Sequence, residues 1–273
     1  NVLTEQTKQQ ISDFGNLKIL HNESLKKHTT FGIGGNTPLF IYPKAKEALI
    51  NLLKYSSKND IDVSFIGSGS NILVSDRGFQ GIVICLQKTF KNFDTVYKKY
   101  NSSCDVTVDS GVMLGHMVRV LTKNSITGIE SLIGVPGTIG GAIIMNAGAY
   151  GKEISNYLIN FKTVNKDGII KKYDKKEIKF SYRYSSIPES EIIVDANFRF
   201  KKGILSNIDS EKKKVSFSRK SKQPLRFRSA GSIFKNPNHS IAAGYLIDKA
   251  NLKGLKKGSA EISTKHANFI INH

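Results

Sequence analysis

Glycines recur among apolar residues in one segment of this chain, SLIGVPGTIGGAIIMNAGAYG at 131–151, and this pattern leaves few folds open. A backbone that closely approaches a phosphate or a flat ring needs residues without a Cβ that tolerate positive φ. A second glycine-rich turn, GSGSN at 67–71, follows a short β-type run. It is not the G-x-G-x-x-G turn of a dinucleotide fold, and no nucleotide-hydrolysing G-x-x-x-x-G-K-[ST] pattern occurs. The two segments together predict loops that hold opposite sides of one long ligand with an apolar ring system and a phosphate tail.

The length of 273 residues allows two or three domains, and the 39% of hydrophobic residues lie in short blocks, as in a globular protein. No run approaches the roughly 18 apolar residues of a spanning helix, and the first residues do not have the pattern of a signal peptide. We therefore expect a cytoplasmic protein without membrane insertion. Cys85 and Cys104 match no metal-ligand spacing, so we expect no metal site and two buried thiols in a reducing compartment.

The formal net charge of +19 raises the possibility of nucleic-acid binding. Only seven of the 41 basic residues are arginine, however, and the lysines are scattered rather than interleaved with stacking aromatic residues. This composition favours a solvated lysine-rich surface that attracts anionic substrates such as a pyrophosphate, and we expect no nucleic-acid partner. A basic nucleic-acid-binding protein with purely structural glycine loops is the alternative from a different functional class.

Apolar periodicity predicts a mixed chain of helices and strands, with a short helix or arm before residue 20 and a change of composition near residue 201. After this change a lysine-rich helix runs to Lys222 and is ended by Pro224. The final HANFIINH has a β-like pattern. The other predicted helices are 44–59, 113–123 and 241–250, and the other predicted strands are 63–66, 82–86, 105–109, 158–164, 169–173 and 192–200.

Four motifs occur in order along the chain, and two shorter segments accompany them. The motifs are GSGSNILVSD at 67–76, GIESLIGVPGTIGGAIIMNAGAYG at 128–151, FSYRYS at 180–185 and SAGSIFKNP at 229–237, and the shorter segments are TTFGIGG at 29–35 and HANFIIN at 266–272. With them the chain resembles the UDP-N-acetylenolpyruvoylglucosamine reductases, also called UDP-N-acetylmuramate dehydrogenases, from about residue 22 to its end. The span between Arg183 and Ser232 is similar to the subgroup that lacks an extra tyrosine-bearing substrate loop.

The resemblance implies an α+β fold: an FAD-binding fold of the p-cresol methylhydroxylase type, made of two α+β subdomains, followed by a smaller α+β substrate-binding domain. We place these parts at residues 1–78, 79–200 and 201–273. The implied enzyme is a monomeric FAD-containing oxidoreductase. It uses NADPH to reduce UDP-N-acetylglucosamine enolpyruvate to UDP-N-acetylmuramate for peptidoglycan synthesis.

The same resemblance assigns roles to individual residues. Arg183 would stabilise the charge that builds on the substrate carboxylate, and Ser232 would donate the proton that completes the reduction. Tyr182, Lys222 and Asn236 would bind the substrate, with Lys235 a weaker candidate. The residues expected at FAD are Gly67, Ser68, Gly69, Ser70 and Asn71 at the pyrophosphate, and Val135, Pro136, Gly137, Thr138, Gly140, Gly141, Ala142, Asn146 and Gly148 at the isoalloxazine and ribityl.

Two departures from the family pattern stand out. Family members usually continue past HANFIIN with a segment carrying a glutamate that works beside the arginine, so we expect a chain without it to be impaired in the second half-reaction. Arg228 stands where proline is common, which concerns only local loop shape. Flavin-dependent oxidases of alcohols and sugars are an alternative with the same fold, although their substrate domains are usually much larger.

Overall fold

The protein, described by a computed structural model over residues 3–238 and 240–273, combines six helices with several small sheets in those ranges. The predictions for residues 1, 2 and 239 lie outside the described part. The helices are α1 (Glu5–Ser12), α2 (Lys46–Lys58), α3 (Leu114–Lys123), α4 (Ile139–Ile144), α5 (Leu205–Lys222) and α6 (Ala243–Lys249). The strands are β1 (Leu17–Ser24), β2 (Asn36–Pro43), β3 (Val63–Ile66), β4 (Ile82–Cys85), β5 (Phe93–Lys98), β6 (Ser103–Asp109), β7 (Ile126–Thr127), β8 (Gly148–Ala149), β9 (Lys152–Glu153), β10 (Leu158–Asn165), β11 (Ile170–Asp174), β12 (Phe180–Ser181), β13 (Tyr184–Ser185), β14 (Glu191–Lys202), β15 (Lys256–Lys257), β16 (Ala260–Ile262) and β17 (Ile270–Asn272).

The first sheet has the order β1-β2-β4-β3, with β1 antiparallel to β2 and the other pairs parallel. Its strand β2 is apolar on both faces: Leu39 and Ile41 pack into one buried cluster, whereas Phe40 and Tyr42 pack into another. Because β4 follows residue 78, the predicted domain division at that residue falls within the sequence span of this sheet. The short turn after β3 thereby follows a strand that pairs with the fully buried β4.

The second sheet has the order β11-β10-β14-β6-β5, with β7 pairing to the end of β14. Helix α3 packs on this sheet through Leu114, Met117, Val118 and Leu121, all fully buried, which recur at the spacing of one helical face. Burying each such side chain contributes roughly 1.5–3 kcal/mol. The predicted helix over 113–123 is therefore confirmed, and the packing holds the segment that follows it against the sheet.

The chain after residue 201 forms the long helix α5, the short α6 and a three-stranded sheet, β15-β16-β17. The predicted lysine-rich helix ending at Lys222, the helix near 241–250 and the β-like end are confirmed. Both cysteines are free and buried, as predicted, and burial raises the pKa of each thiol. Among the described residues, none of the helices combines the length and apolarity that a membrane crossing requires.

Most other predicted elements are also confirmed, with ends displaced by at most two residues. Three strands of six or more residues were missed, β1, β2 and β5, and so were the strands of two or three residues other than β17. β1 lies in the opening segment, to which the sequence assigned only a short helix or arm, and β2 lies in a segment for which no element was predicted.

Candidate active site

The turn GSGSN leaves β3 and is held in place by its carbonyl groups. Thr30 N donates to Gly69 O at 3.0 Å, and Gly69 has φ +64°. A Cβ at Gly69 would lie 1.8 Å from His28 O, so only glycine fits there. In the described part of the chain, no protein acceptor pairs with the backbone N–H groups from Ser68 to Asn71. The turn therefore has free donors for an anion.

The second glycine segment lies against this turn. A Cβ on Gly67 would approach Thr138 Oγ1 to 2.6 Å, and one on Gly137 would lie 3.8 Å from Ser70 Oγ. Thr138 caps α4 by accepting from Gly141 N at 3.4 Å. Gly137 has φ +131°, which residues with side chains rarely adopt. The two predicted loops thus meet directly.

The remaining predicted residues of this segment differ in accessibility. Val135 and Gly140 are half-buried, whereas Pro136 and Gly141 are exposed. Ala142 is buried in α4 as part of the core. The accessible backbone on this side of the segment, rather than Ala142, is available to a ligand.

Two further groups near the second loop fit a polar, anionic ligand. Ser131 Oγ is buried without a hydrogen-bond partner among the described residues, which is costly unless a ligand or water completes it. Arg219 of α5 approaches Gly134, where an added Cβ would lie 3.2 Å from its Nε. Burial lowers the pKa of Arg219, so a nearby anion would stabilise its charge. The donor set, the glycine cradle and this cation all suit FAD.

Arg183 lies at the tip of the β12–β13 hairpin and reaches the second loop. Its Nη2 donates to Gly148 O at 2.6 Å and its Nη1 to Asn146 O at 3.5 Å. Arg183 has φ +52°, a conformation that costs a residue with a side chain about 1–3 kcal/mol and persists only when its surroundings enforce it. Two of the five guanidinium N–H donors are used in this way, which leaves others for a carboxylate.

Tyr182 precedes Arg183 in the same turn. The guanidinium carbon of Arg183 lies 5.1 Å from the centre of the Tyr182 ring, within the range of a cation–π contact. Tyr182 itself is 38% exposed. The ring therefore supports the cation and leaves its hydroxyl end accessible.

Asn146 is fully buried, with φ +41°. Its Nδ2 donates to Glu153 Oε2 at 2.7 Å and to Ser181 O at 3.0 Å, and its Oδ1 accepts from Ser155 N at 3.4 Å. These bonds occupy the side chain. Contact with a flavin at this position would have to come from its backbone.

Ser232 is exposed on a segment that pairs with the C-terminal strands. It forms a β-bridge with Phe269, and Asn268 holds the residues that follow: its Oδ1 accepts from Phe234 N at 2.9 Å, and its Nδ2 donates to Phe234 O at 2.8 Å. Thr30 Oγ1 donates to Ser229 O at 2.7 Å, which joins this segment to the first glycine turn. Ser232 thus lies in a segment that hydrogen bonds hold on both sides of it, at Ser229 and at Phe234.

The predicted substrate-binding residues lie around the same domain. Lys222 is the exposed last residue of α5, and Lys235 is also exposed. Asn236 uses its Oδ1 to accept from Ala243 N at 3.0 Å, which orders the start of α6. Among the described residues, no acceptor pairs with its amide nitrogen, which can therefore donate to a ligand.

The structure therefore links both glycine loops, Arg183 and the Ser232 segment through Thr138, Asn146 and Thr30. Among the described residues, Arg183 and Ser232 are not hydrogen-bonded to each other. The sequence did not single out four residues that order or complete this arrangement: Thr30, Glu153, Arg219 and Asn268. The motifs TTFGIGG and HANFIIN contain two of them, and this was the available signal.

Comparisons with known proteins agree with this geometry. Residues 37–174 match the family model described as an FAD binding domain, and residues 223–273 match the model described as the C-terminal domain of UDP-N-acetylenolpyruvoylglucosamine reductase. The reductase of that name from Carboxydothermus hydrogenoformans is 40% identical over 255 residues, 93% of this chain and 82% of the relative. The one from Syntrophus aciditrophicus is 35% identical over 265 residues, 97% and 84% of the two chains.

Solved structures extend the comparison to the fold. The crystal structure of UDP-N-acetylenolpyruvylglucosamine reductase from Thermus caldophilus superposes with a TM-score of 0.81 at 32% identity, covering 94% of this chain and 88% of that one. Alkyldihydroxyacetonephosphate synthase, at 16% identity and a TM-score of 0.51, shares the fold alone over 73% of this chain and 40% of its own. The expected α+β fold of the FAD-binding p-cresol methylhydroxylase type is confirmed, and the chain belongs to the UDP-N-acetylenolpyruvoylglucosamine reductase family.

Proposed function

We propose that this protein uses NADPH, through bound FAD, to reduce the enolpyruvyl group of UDP-N-acetylglucosamine enolpyruvate to UDP-N-acetylmuramate. The observation that carries the proposal is the meeting of two glycine loops whose second member also receives the Arg183 guanidinium. This arrangement holds a cation beside the site of a flat cofactor. Such an arrangement is not expected in a nucleic-acid-binding protein whose glycine loops are purely structural.

FAD would be held by the free N–H groups of the first turn at its pyrophosphate and by the accessible backbone of 134–141 and 146–148 at its ring and ribityl. FAD held by these residues would supply the hydride chemistry that links NADPH to the terminal vinyl carbon of the substrate. The two loops lie so close that a Cβ on Gly67 would come within 2.6 Å of Thr138 Oγ1, so both can contact one ligand.

Arg183 would bind the substrate carboxylate. As the hydride adds, negative charge builds on the enolate-like carboxylate, and a fixed guanidinium stabilises this charge more in the transition state than in the ground state. Its bonds to Asn146 O and Gly148 O and the ring of Tyr182 fix its position before substrate arrives. Its free N–H groups can then form two bonds to a carboxylate.

Ser232 would donate its hydroxyl proton to the carbon that bears the ether oxygen, which completes the reduction. A hydroxyl is a weak acid, but the enolate already formed makes the transfer favourable, and solvent can return a proton to the exposed Ser232. The Asn268 amide orders the segment that follows Ser232 and so limits its motion.

Lys222, Asn236 and, less directly, Lys235 would contact the phosphates and polar edges of the UDP-sugar, with Tyr182 beside its enolpyruvyl end. We also propose that the protein acts as a monomer in the cytoplasm, in the synthesis of peptidoglycan precursor. Two buried free thiols are consistent with a reducing compartment. NADPH and nucleotide sugars are soluble cytoplasmic metabolites.

The test is the absorption spectrum of the purified protein under anaerobic conditions. We expect a flavin band that NADPH bleaches and that UDP-N-acetylglucosamine enolpyruvate restores, with UDP-N-acetylglucosamine as the control that restores nothing. A folded protein that binds no FAD would refute the proposal. So would a reduced flavin that only oxygen reoxidises.

A further inference from the structure

The hairpin that carries Arg183 is fastened to the 144–148 segment on both of its strands. On one strand, Ser181 O accepts from Asn146 Nδ2 at 3.0 Å; on the other, Ser185 Oγ donates to Ile144 O at 2.8 Å. Between them, the guanidinium donates to the carbonyls of Asn146 and Gly148. The contacts of Ser181, Ser185 and the guanidinium together hold Arg183 in its left-handed backbone conformation.

Asn146 can make its contribution only in one orientation. Its amide must aim both N–H groups at Ser181 O and at Glu153 Oε2, and its carbonyl must face Ser155 N. The carboxylate of Glu153 is the charged acceptor of this set, and such an acceptor forms the stronger hydrogen bond. Glu153 therefore fixes the rotation of the Asn146 amide, and through it the strand that leads into Arg183.

The backbone adds a second connection between the same groups. Glu153 is the pairing partner of Gly148 in the β8–β9 ladder, and Gly148 supplies the carbonyl to which the guanidinium donates at 2.6 Å. A Cβ on Gly148 would lie 2.9 Å from Glu153 Cγ and 3.3 Å from Arg183 Nη1. The stem of Glu153 and the guanidinium thus flank one glycine. Among the ion pairs of the described residues, Glu153 and Arg183 do not form one, so Glu153 does not neutralise the cation.

We propose that Glu153, acting through the buried amide of Asn146, is the positioning residue that holds Arg183 where it meets the substrate carboxylate. The inference rests on the proposed function, since it concerns the arginine of that reaction. Without Glu153, the Asn146 amide loses an acceptor and can rotate, and Ser181 loses its donor. The guanidinium then samples positions from which a carboxylate is poorly held. Misplacement of a catalytic group by about 1 Å costs on the order of 10²-fold in rate.

The experiment compares the two half-reactions in Glu153→Ala, Glu153→Gln and a matched control, Glu191→Ala. Glu191 is likewise a partly buried glutamate that accepts from side chains, Tyr173 Oη among them, but it lies on β14. Each FAD-loaded variant is reduced by NADPH in a stopped-flow instrument and then reoxidised anaerobically by the enolpyruvyl UDP-sugar. We expect Glu153→Ala to slow reoxidation by about 10- to 10²-fold and to leave the reduction by NADPH within about twofold of wild type.

The Gln variant retains an acceptor oxygen for the Asn146 amide, so we expect it to recover reoxidation to within about threefold of wild type, and Glu191→Ala to match wild type. Binding of UDP-N-acetylglucosamine, which lacks the carboxylate, should be unchanged in all three variants. A Gln variant as slow as the Ala variant would overturn the proposal. An equal loss of affinity for both UDP-sugars would indicate a purely structural role for Glu153 and would also overturn the proposal.

A double variant separates action through Arg183 from independent action. If Glu153 works by positioning the guanidinium, Glu153→Ala adds little to Arg183→Ala, because the group it positions is already gone. If the double variant instead slows reoxidation by the product of the two single effects, the residues act independently, which would contradict the proposal.

Should Glu153→Ala not fold, Asn146→Asp removes the same N–H donors at nearly unchanged size and must show the same selective slowing. Failure of wild-type protein to reoxidise with substrate would count against the proposed function, whereas a wild-type rate in Glu153→Ala would remove only this inference.

Discussion

Gly67→Ala tests whether contact between the two glycine loops is what shapes the FAD site. The added methyl group would lie 2.6 Å from Thr138 Oγ1, whereas ordinary contact begins at 3.4 Å, so the loops must separate by 0.8 Å, the difference between these distances. Thr138 also caps α4, and displacing a cap of this kind costs about 1 kcal/mol. Overpacking adds at least about 1 kcal/mol. A total of about 2 kcal/mol corresponds to roughly 30-fold weaker FAD binding.

The assay is titration of the apoprotein with FAD, followed by flavin fluorescence quenching. Gly115→Ala is the control, since an added Cβ there meets nothing within 4 Å and the residue lies in α3. Gly67→Ala combined with Thr138→Ala removes both the clash and the cap, so the double variant should bind FAD more tightly than the product of the single effects predicts. Wild-type affinity in Gly67→Ala would refute a shared, contact-defined site.

Three further changes test other parts of the molecule. Arg183→Lys keeps the charge but loses the planar fork, so we expect flavin reoxidation by substrate to slow by about 10²-fold with NADPH reduction unaffected, as measured by stopped flow; equal effects on both steps would contradict this role. Leu121→Ala should lower the free energy of unfolding by about 2–5 kcal/mol in urea titrations, since Leu121 is fully buried in α3, whereas Ile204→Ala, at an exposed site, should change it by less than about 0.5 kcal/mol. The hydrogen bond from Arg199 is the main cause that lowers the pKa of Asp105 from 3.8 to about 2, so the stability lost in Asp105→Asn should be full above pH 3.8 and vanish as pH falls through 2, which urea unfolding at stepped pH checks; a pH-independent difference would contradict it.

Elements whose pattern comes from one buried face could be predicted from the sequence, and β2 shows why others could not. In helix α3, buried apolar residues recur every three to four positions, because one side of the helix packs on the sheet and the other faces solvent. In β2, Leu39 and Ile41 face one apolar cluster while Phe40 and Tyr42 face another, so no period of two remains. Strand β1 has the opposite difficulty, since it contains polar residues and is partly exposed along its length. Its place in the sheet depends on pairing with β2, which is not a local property.

The candidate site likewise has features that could be predicted from the sequence and features that could not. Glycines needed for close approach are visible in the sequence, and Gly69 could be expected because no other residue tolerates both its φ and the adjacent His28 carbonyl. Hydrogen-bond partners distant along the chain are not visible. Nothing local in Asn268 indicates that both ends of its amide hold Phe234, 34 residues away.

The stretch that contains Asn146 and Gly148 combines a role predicted from the sequence with contacts that only the structure shows. Both were predicted as flavin-lining residues. Asn146 could contact a flavin only through its backbone, because its side chain is hydrogen-bonded to Glu153, Ser181 and Ser155. Their carbonyls also receive the guanidinium of Arg183. In the proposed function, one short stretch of backbone would therefore face the cofactor and would also hold the cation that binds the substrate. A shift of this stretch should alter the flavin environment and the position of Arg183 together. Gly148 leaves no room for a side chain in it, because a Cβ there would lie 2.7 Å from Lys152 O and 2.9 Å from Glu153 Cγ.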